Sequence, residues 1–158
     1  MSRRILLNLL LSGLILLLAL LVWWLQPIPL PPLTPLLPEQ IDRIHISDTT
    51  GREIRLHRQA GEWRLKQAPA NAQRIEQLLG ICTTPSLRRF PAPLERLEEF
   101  GLTPPAIRLR LNDLELGFGN TDPLNGWRYV RLGDSIHLIG DGFQHHLTAP
   151  ASTYQQEE

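Results

Sequence analysis

The sequence predicts an α+β protein: an N-terminal transmembrane helix followed by a mainly antiparallel sheet domain with two packing helices, in the order β-β-β-α-α-β-β-β-β. Three observations predict it. Ile5 to Leu25 holds 21 residues without a charge, twelve of them leucine. Period-two alternation recurs between Ile41 and Gln67 and again from Ala106 to Ile139, and between those stretches the apolar spacing changes to three and four. The chain divides accordingly into a tip and anchor (1–26), a proline-rich stalk (27–38), a folded domain (39–149) and a polar tail (150–158).

As a helix, the 21 uncharged residues span about 31 Å, roughly the hydrocarbon core of a bilayer. Met1-Ser-Arg-Arg4 would also suit a cleaved secretory signal. However, the apolar run exceeds the usual ~7 to 15 residues of such signals, and Val22-Trp23-Trp24-Leu25-Gln26-Pro27 is bulky where a peptidase needs small residues. An uncleaved anchor is therefore expected, and no cysteine follows the run to carry a lipid. Arg3 and Arg4 precede the helix and no positive charge lies close behind it, so the positive-inside rule holds the N-terminus in the cytoplasm and the domain outside. Trp23 and Trp24 are placed to anchor at the headgroup layer.

Within the helix, Asn8, Ser12 and Ala19 fall within about 40° of one another at ~100° per residue. This narrow face suits a partner helix, although Asn8 snorkelling to the nearer surface accounts for that residue as well. Pro27 to Pro38 holds six prolines in twelve residues. Such a segment forms neither helix nor central strand and is expected to run as a semi-rigid polyproline II stalk.

Cys82 is the only cysteine, so no intrachain disulfide supports the domain. From Gln26 onward 14 basic and 16 acidic residues give a net charge near −2. That balance excludes a nucleic-acid role resting on phosphate neutralisation.

Ile41–Ser47 and Arg52–Arg58 alternate on either side of a three-residue turn, Thr49-Thr50-Gly51. Ile44, Ile46, Ile54 and Leu56 then share one face; Arg43, His45, Arg55 and His57 share the other. Glu62 to Gln67 continues as a third strand with Trp63 and Leu65 inward and Arg64 and Lys66 outward, which makes the outward face basic. Its partner would be anionic lipid or an acidic protein, though a solvated sheet face has the same composition.

Asn71 is a candidate N-cap for a helix that presents Ala72, Ile75, Leu78 and Leu79 on one side and ends near Gly80. Cys82 beyond it reads as a small buried apolar residue. Thr83 to Arg89 is a loop or short edge segment. A second helix begins at Pro93 with Leu94, Leu97 and Phe100 at spacings of three. Gly101 serves as its left-handed C′ residue and Leu102 folds back on Leu97. Pro104 and Pro105 stop any continuation.

Ala106 to Phe118 is a hairpin turning at Asn112-Asp113, with Arg110 opposite Glu115. Arg128–Leu132 and Ser135–Ile139 form another across Gly133-Asp134; both its faces carry apolar residues, so a central, doubly covered position is expected. Gly61-Glu-Trp-Arg-Leu65 and Asn125-Gly-Trp-Arg-Tyr129 form a weak internal echo.

Candidate chemistry is sparse. The adjacent His145 and His146 are a poor chelate, and no Cys-x-x-Cys or His-x-x-x-His spacing exists. His137 alternates with Ile136 and Leu138 as a core or rim histidine. Ser47, Ser86, Ser135 and Ser152 lack a Gly-x-Ser-x-Gly setting. Gly117-Phe-Gly119 is at most a fragment of a phosphate loop. Glu95, Glu98 and Glu99 are helix-surface neighbours near Arg88, Arg89 and Arg96, a local charge network and not a catalytic carboxylate pair. No catalytic, cofactor or metal residue is assigned, and a non-enzyme is expected.

The order Trp63-Arg-Leu, Pro69-Ala-Asn71, Ile75 with Leu78-Leu79, Phe100-Gly101-Leu102-x-x-Pro105, Leu116-Gly-Phe-Gly119, Tyr129-Val and Ile136-His-Leu-Ile139 resembles an uncharacterised bacterial domain-of-unknown-function family. Its members are membrane-anchored, and some occur beside gliding-motility-type ABC transporter subunits. The resemblance covers about Ile41 to Leu147, and its best element is the structural signature Phe100, Gly101, Leu102 and Pro105. It implies a bacterial inner-membrane protein with a periplasmic domain, and it transfers no catalytic residue.

The expected function is a non-enzymatic interaction or accessory module of an envelope or export complex, with the bilayer and another membrane or periplasmic protein as partners. A periplasmic small-ligand or glycan-binding domain with a pocket near Trp127 and Tyr129 is the first alternative. An enzyme of unrecognised type is the second.

Overall fold

In the computed structural model, which describes residues 3–26 and 29–156, the leucine-rich run forms one unbroken helix, α1 (Arg3–Trp24). Met1, Ser2, Pro27, Ile28, Glu157 and Glu158 lie outside the described residues, and with them the outer ends of the expected tip, stalk and tail. Nothing in α1 is buried, and among the described residues it is the one helix long and apolar enough to cross a membrane.

The rest is α+β around an antiparallel sheet. Its strands are β1 (Arg43–Asp48), β2 (Glu53–Gln59), β3 (Glu62–Leu65), β4 (Ala68–Pro69), β5 (Arg88–Pro91), β6 (Ile107–Leu111), β7 (Leu114–Thr121), β8 (Arg128–Leu132) and β9 (Ser135–Ile139). They lie in the order β4-β3-β2-β1-β6-β7-β8-β9-β5, and every neighbouring pair is antiparallel.

β1 and β6 are adjacent at the middle, and from each a four-stranded meander runs outward. The two halves are related topologically by a two-fold axis through that pair. The Trp-Arg echo falls at the equivalent third strands, β3 and β8, but one residue out of register: Trp63 is buried opposite Arg58, whereas Arg128, not Trp127, is paired with the core residue Ile139.

Side-chain alternation sorts the sheet into two faces. Ile44, Ile46, Ile54, Leu56, Leu109, Leu116, Phe118 and Val130 belong to the main core. Against that face packs α2 (Ala72–Leu79) through Ile75, Leu78 and Leu79. Asn71 caps it as expected, its side chain accepting from Arg74 N at 3.1 Å, while Ala72 is exposed and not part of the buried stripe. Cys82 is fully buried, and a short helix α3 (Gln144–Thr148) buries Leu147 beside α2.

The three hairpin turns read from the sequence are present, the last between Leu132 and Ser135 with Gly133 at φ +55°. Ile46 pairs with Ile54, and Gly51 has φ +88°; Asn112 has φ +53° at the two-residue turn, and Arg110 reaches Glu115 at 2.7 Å. Asn112 also accepts from Asp42 N and Arg43 N at 3.0 Å each, so the turn residue fixes where β1 begins.

Several expectations need correction. The helix expected from Pro93 is only a 3-10 turn, Leu94–Arg96, because Leu94 is 67% exposed and no apolar face anchors its first turn. Its stop signal forms nonetheless: Leu102 N bonds to Leu97 O and Gly101 N to Glu98 O, both at 2.9 Å, with Gly101 at φ +68°. One helix is therefore lost from between the two strand sets, the short α3 is gained after β9, and two strands are gained. Lys66, at φ +58°, ends β3 early and returns the chain as β4, while Arg88–Pro91 becomes the edge strand β5 on β9. The β8–β9 hairpin is covered on both faces, with Val130 and Ile139 in the main core and Ile136 in a second cluster with Leu97 and Leu102. It lies beside the edge and not at the centre.

The proline-rich segment departs most from a free stalk. Leu33 and Thr34 are 2% and 3% exposed, Leu33 N bonds to Thr84 O at 2.8 Å, and Ser86 N bonds to Pro31 O at 2.9 Å. Polyproline backbone leaves its carbonyls and side chains free to dock, and here residues 31–36 belong to the domain. The tail is likewise tied down. Tyr154 is 1% exposed and its hydroxyl donates to His146 O at 2.6 Å, while Asn71 N bonds to Tyr154 O at 2.9 Å.

Candidate functional site

Two guanidinium clusters are structural. Arg52 donates through Nε to Asp48 at 2.8 Å and through its two Nη atoms to the carbonyls of Leu147 and Ala149, joining the first hairpin to the C-terminal segment. Hydrogen bonds from Thr50 and Arg52 hold the Asp48 carboxyl well below the usual carboxylate range. Arg128 grips Asp141 with two nitrogens and gives a third bond to Gly119 O at 2.7 Å.

The face of the sheet opposite the main core is rich in charge. From β3 to β8 it presents Arg43, Arg55, Arg64, Arg108, Arg110 and Arg131 against Glu53, Glu62 and Glu115. Arg55 is paired with Glu53 and Arg110 with Glu115, each at 2.7 Å, and Arg43 reaches Asp113 at 3.3 Å. Among the described residues Arg108 has no hydrogen-bonded or ionic partner, and Arg131 gives only Nε to Gly133 O at 3.0 Å.

These two arginines are brought together by register. Arg108 is opposite Gly117 on one side, and Arg131 is opposite Gly117 on the other, so both flank a floor without a side chain. Leu102, Thr103, Pro104 and Pro105 form a wall along it, and the resulting cleft has a volume of about 540 Å³. The Thr103–Pro104 peptide is cis. Two guanidiniums lining one cleft over exposed backbone suit a phosphate or carboxylate, which Arg binds with paired donors, and the Glu115 carboxylate on the same cleft is already paired with Arg110.

A second polar pair, Ser86 and His137, is buried at 4% exposure each, with Oγ and Nδ1 2.8 Å apart. Ser86 Oγ also lies 3.3 Å from Arg88 O. Both bonds are satisfied when the hydroxyl donates to the carbonyl and the imidazole donates to the hydroxyl. That is the wrong direction to activate a nucleophile. Burial, and secondarily Arg89, lowers the His137 pKa and favours the neutral ring. No carboxylate is hydrogen-bonded to the ring among the described residues.

The other sequence candidates fall as follows. Tyr129 packs on Phe100 with ring centroids 4.9 Å apart, so its ring is committed to the second cluster. The charge network near Glu98 reduces to Arg96 gripping Glu99 at 2.9 and 2.7 Å. His145 and His146 stack with centroids 3.8 Å apart. Among the described residues no group of three or more His, Cys, Asp or Glu is arranged to hold a metal ion. On α1, Arg3, Arg4, Asn8, Ser12, Ala19, Trp23 and Trp24 are all exposed. Phe100, Gly101, Leu102 and Pro105 form the corner packed over Gly117 and Gly119.

Sequence reasoning missed the Arg108–Gly117–Arg131 cleft, because its members come from three strands. The usable signal was the glycine at an outward position of β7, between arginines at outward positions of its neighbours.

The molecule thus defines a class: an antiparallel α+β domain behind an exposed apolar helix. No family model, curated protein or solved structure matches the chain.

Proposed function

We propose that this chain is a non-enzymatic single-pass membrane protein whose α+β domain is an interaction or accessory module of an envelope or export complex. The carrying observation is α1, 22 residues of almost continuous apolar surface that bury nothing against a domain whose own core is complete without them. Such a helix is stable in lipid, where its backbone bonds are satisfied internally and its leucines are solvated. Arg3 and Arg4 orient it with the N-terminus in the cytoplasm, Trp23 and Trp24 mark the far interface, and the domain lies in the periplasm of a bacterial inner membrane. The complex itself is the setting that the family resemblance implies.

Two measurements test the reading. Cysteine labelling from either side of the membrane reports topology: a cysteine at exposed Leu124 reacts with an impermeant reagent in intact spheroplasts. In-cell cross-linking with mild-detergent purification reports the partner. A specific membrane or periplasmic protein is recovered, and recovery falls when Asn8→Leu and Ser12→Leu remove the polar helix face. Recovery of nothing above background would overturn the complex-subunit reading.

A further inference from the structure

We propose that the arginine-rich open face of the sheet, centred on the Arg108–Gly117–Arg131 cleft, is a phospholipid-headgroup site that seats the domain on the anionic surface of the membrane entered by α1. This rests on the membrane-anchor reading above.

The first support is charge. Six arginines against three glutamates share that face; Arg64, Arg108 and Arg131 have no carboxylate partner among the described residues, and the last two flank one glycine. Neighbouring strands stand about 4.8 Å apart, so Arg108 and Arg131 arise about 10 Å apart with β7 between them. That is a separation their long side chains close onto a single phosphodiester. Leu102, Pro104 and Pro105 give the cleft an apolar wall beside the charges, which matches a headgroup joined to its glycerol backbone better than a fully hydrated ion.

The second support is reach. α1 ends at Trp24, and Pro31 is already hydrogen-bonded to the domain through Ser86 N. Six residues remain, 25–30, and even fully extended they span only about 20 Å. With the proline-rich segment docked instead of standing off as a stalk, the domain is confined to the headgroup neighbourhood. At that range surface arginines experience the negative potential of the leaflet, which decays within a Debye length of about 8 to 10 Å. Confinement also raises the effective lipid concentration, so weak individual contacts suffice.

The test uses the full chain in nanodiscs of pure phosphatidylcholine and in discs containing phosphatidylglycerol. Co-elution with the phosphatidylcholine discs checks the anchor independently; its failure would overturn the anchor reading, and the lipid inference with it. Amide exchange then reports the face. The amides of Thr103, of residues 106–108, and of 115–117 and 131–133 are expected to exchange on the order of tenfold more slowly in the anionic discs, with the protection lost at about 1 M salt.

Arg108→Gln with Arg131→Gln is expected to abolish the difference, whereas Arg74→Gln, on the opposite face, leaves it intact. Equal exchange in both disc types overturns the proposal, as does protection that survives the double substitution. Inorganic phosphate added to phosphatidylcholine discs provides the remaining arm: full protection by phosphate alone would assign the cleft to a soluble anion and overturn the lipid source. Thermal unfolding of the double variant, expected to be unchanged because both side chains are solvent-facing, separates lost binding from lost structure.

Discussion

The carbonyl oxygen of Phe100 lies where a Cβ on Gly119 would stand, and it accepts a hydrogen bond from Asn120 N at 2.8 Å. The corner after Leu97 therefore rests on bare backbone of β7, with Leu102 also within 3.0 Å of the missing Cβ. Gly119→Ala must displace backbone and is expected to cost about 2 to 3 kcal/mol, whereas Gly117→Ala meets side-chain atoms alone, the nearest being Pro105 Cβ at 3.3 Å, and should cost about 1 kcal/mol. Gly101→Ala, at φ +68° with the Asn120 side chain in its place, falls nearer the larger value. Urea unfolding of the three variants checks the ranking, and an equal effect at 117 and 119 would contradict the packing.

Docking of the proline-rich segment makes a separate prediction. Leu33 is buried while Leu30, three residues earlier, is 49% exposed. Leu33→Ala is expected to cost about 2 to 5 kcal/mol and Leu30→Ala less than about 0.5. A free stalk would make the two indistinguishable in thermal unfolding of the detergent-solubilised chain.

Tyr154 makes the tail part of the core. Tyr154→Ala is expected to cost about 3 to 5 kcal/mol by loss of a buried ring, and Tyr154→Phe about 1 through the lost bond to His146 O. Burial pushes the phenol up to about 12, so between its ordinary value near 10 and that value the folded state keeps a proton that the unfolded state releases. Stability therefore falls as pH rises through that range, and Tyr154→Phe should flatten the alkaline limb of a Tm-against-pH curve.

The sequence made legible what is local. Ile46 against Ile54, Asn112-Asp113, the Asn71 cap and the Leu97–Gly101–Leu102 stop each follow from residues within a few positions of one another. What it concealed depends on distant partners. Leu94 looks helical by spacing, but no surface waits for it; Arg88–Pro91 becomes a strand only because β9 offers an edge. Leu33 and Tyr154 lie in segments whose composition reads as linker and tail, and only the cavities they fill make them core. The candidate cleft is concealed for the same reason, since Arg108, Gly117 and Arg131 meet through two strand registers that no sequence window spans.

The buried histidine beneath the docked segment sets the acid limb. His137 faces Ser86 on the chain leading to β5, Arg89 on β5 itself and, across the cleft beneath Pro32–Pro35, Leu132 of β8 and Leu114 of β7; none is acidic. Burial first and Arg89 second depress its pKa, and burial with His145 and Arg74 does the same to His146. For both, the unfolded chain binds the proton more tightly than the folded one. Stability is thus unaffected well above about 6.5 and declines as pH falls from there toward the depressed folded values. Asp48 acts only later, because its depressed carboxyl withdraws stability when pH drops below the unfolded carboxylate value near 3.8. His137→Asn with His146→Asn is expected to flatten the curve between pH 7 and about 5 while leaving the steeper loss below about 4, where Asp48→Asn acts instead. A wild-type Tm that stays level from pH 7 to 5 would show that these rings are not held neutral by the fold.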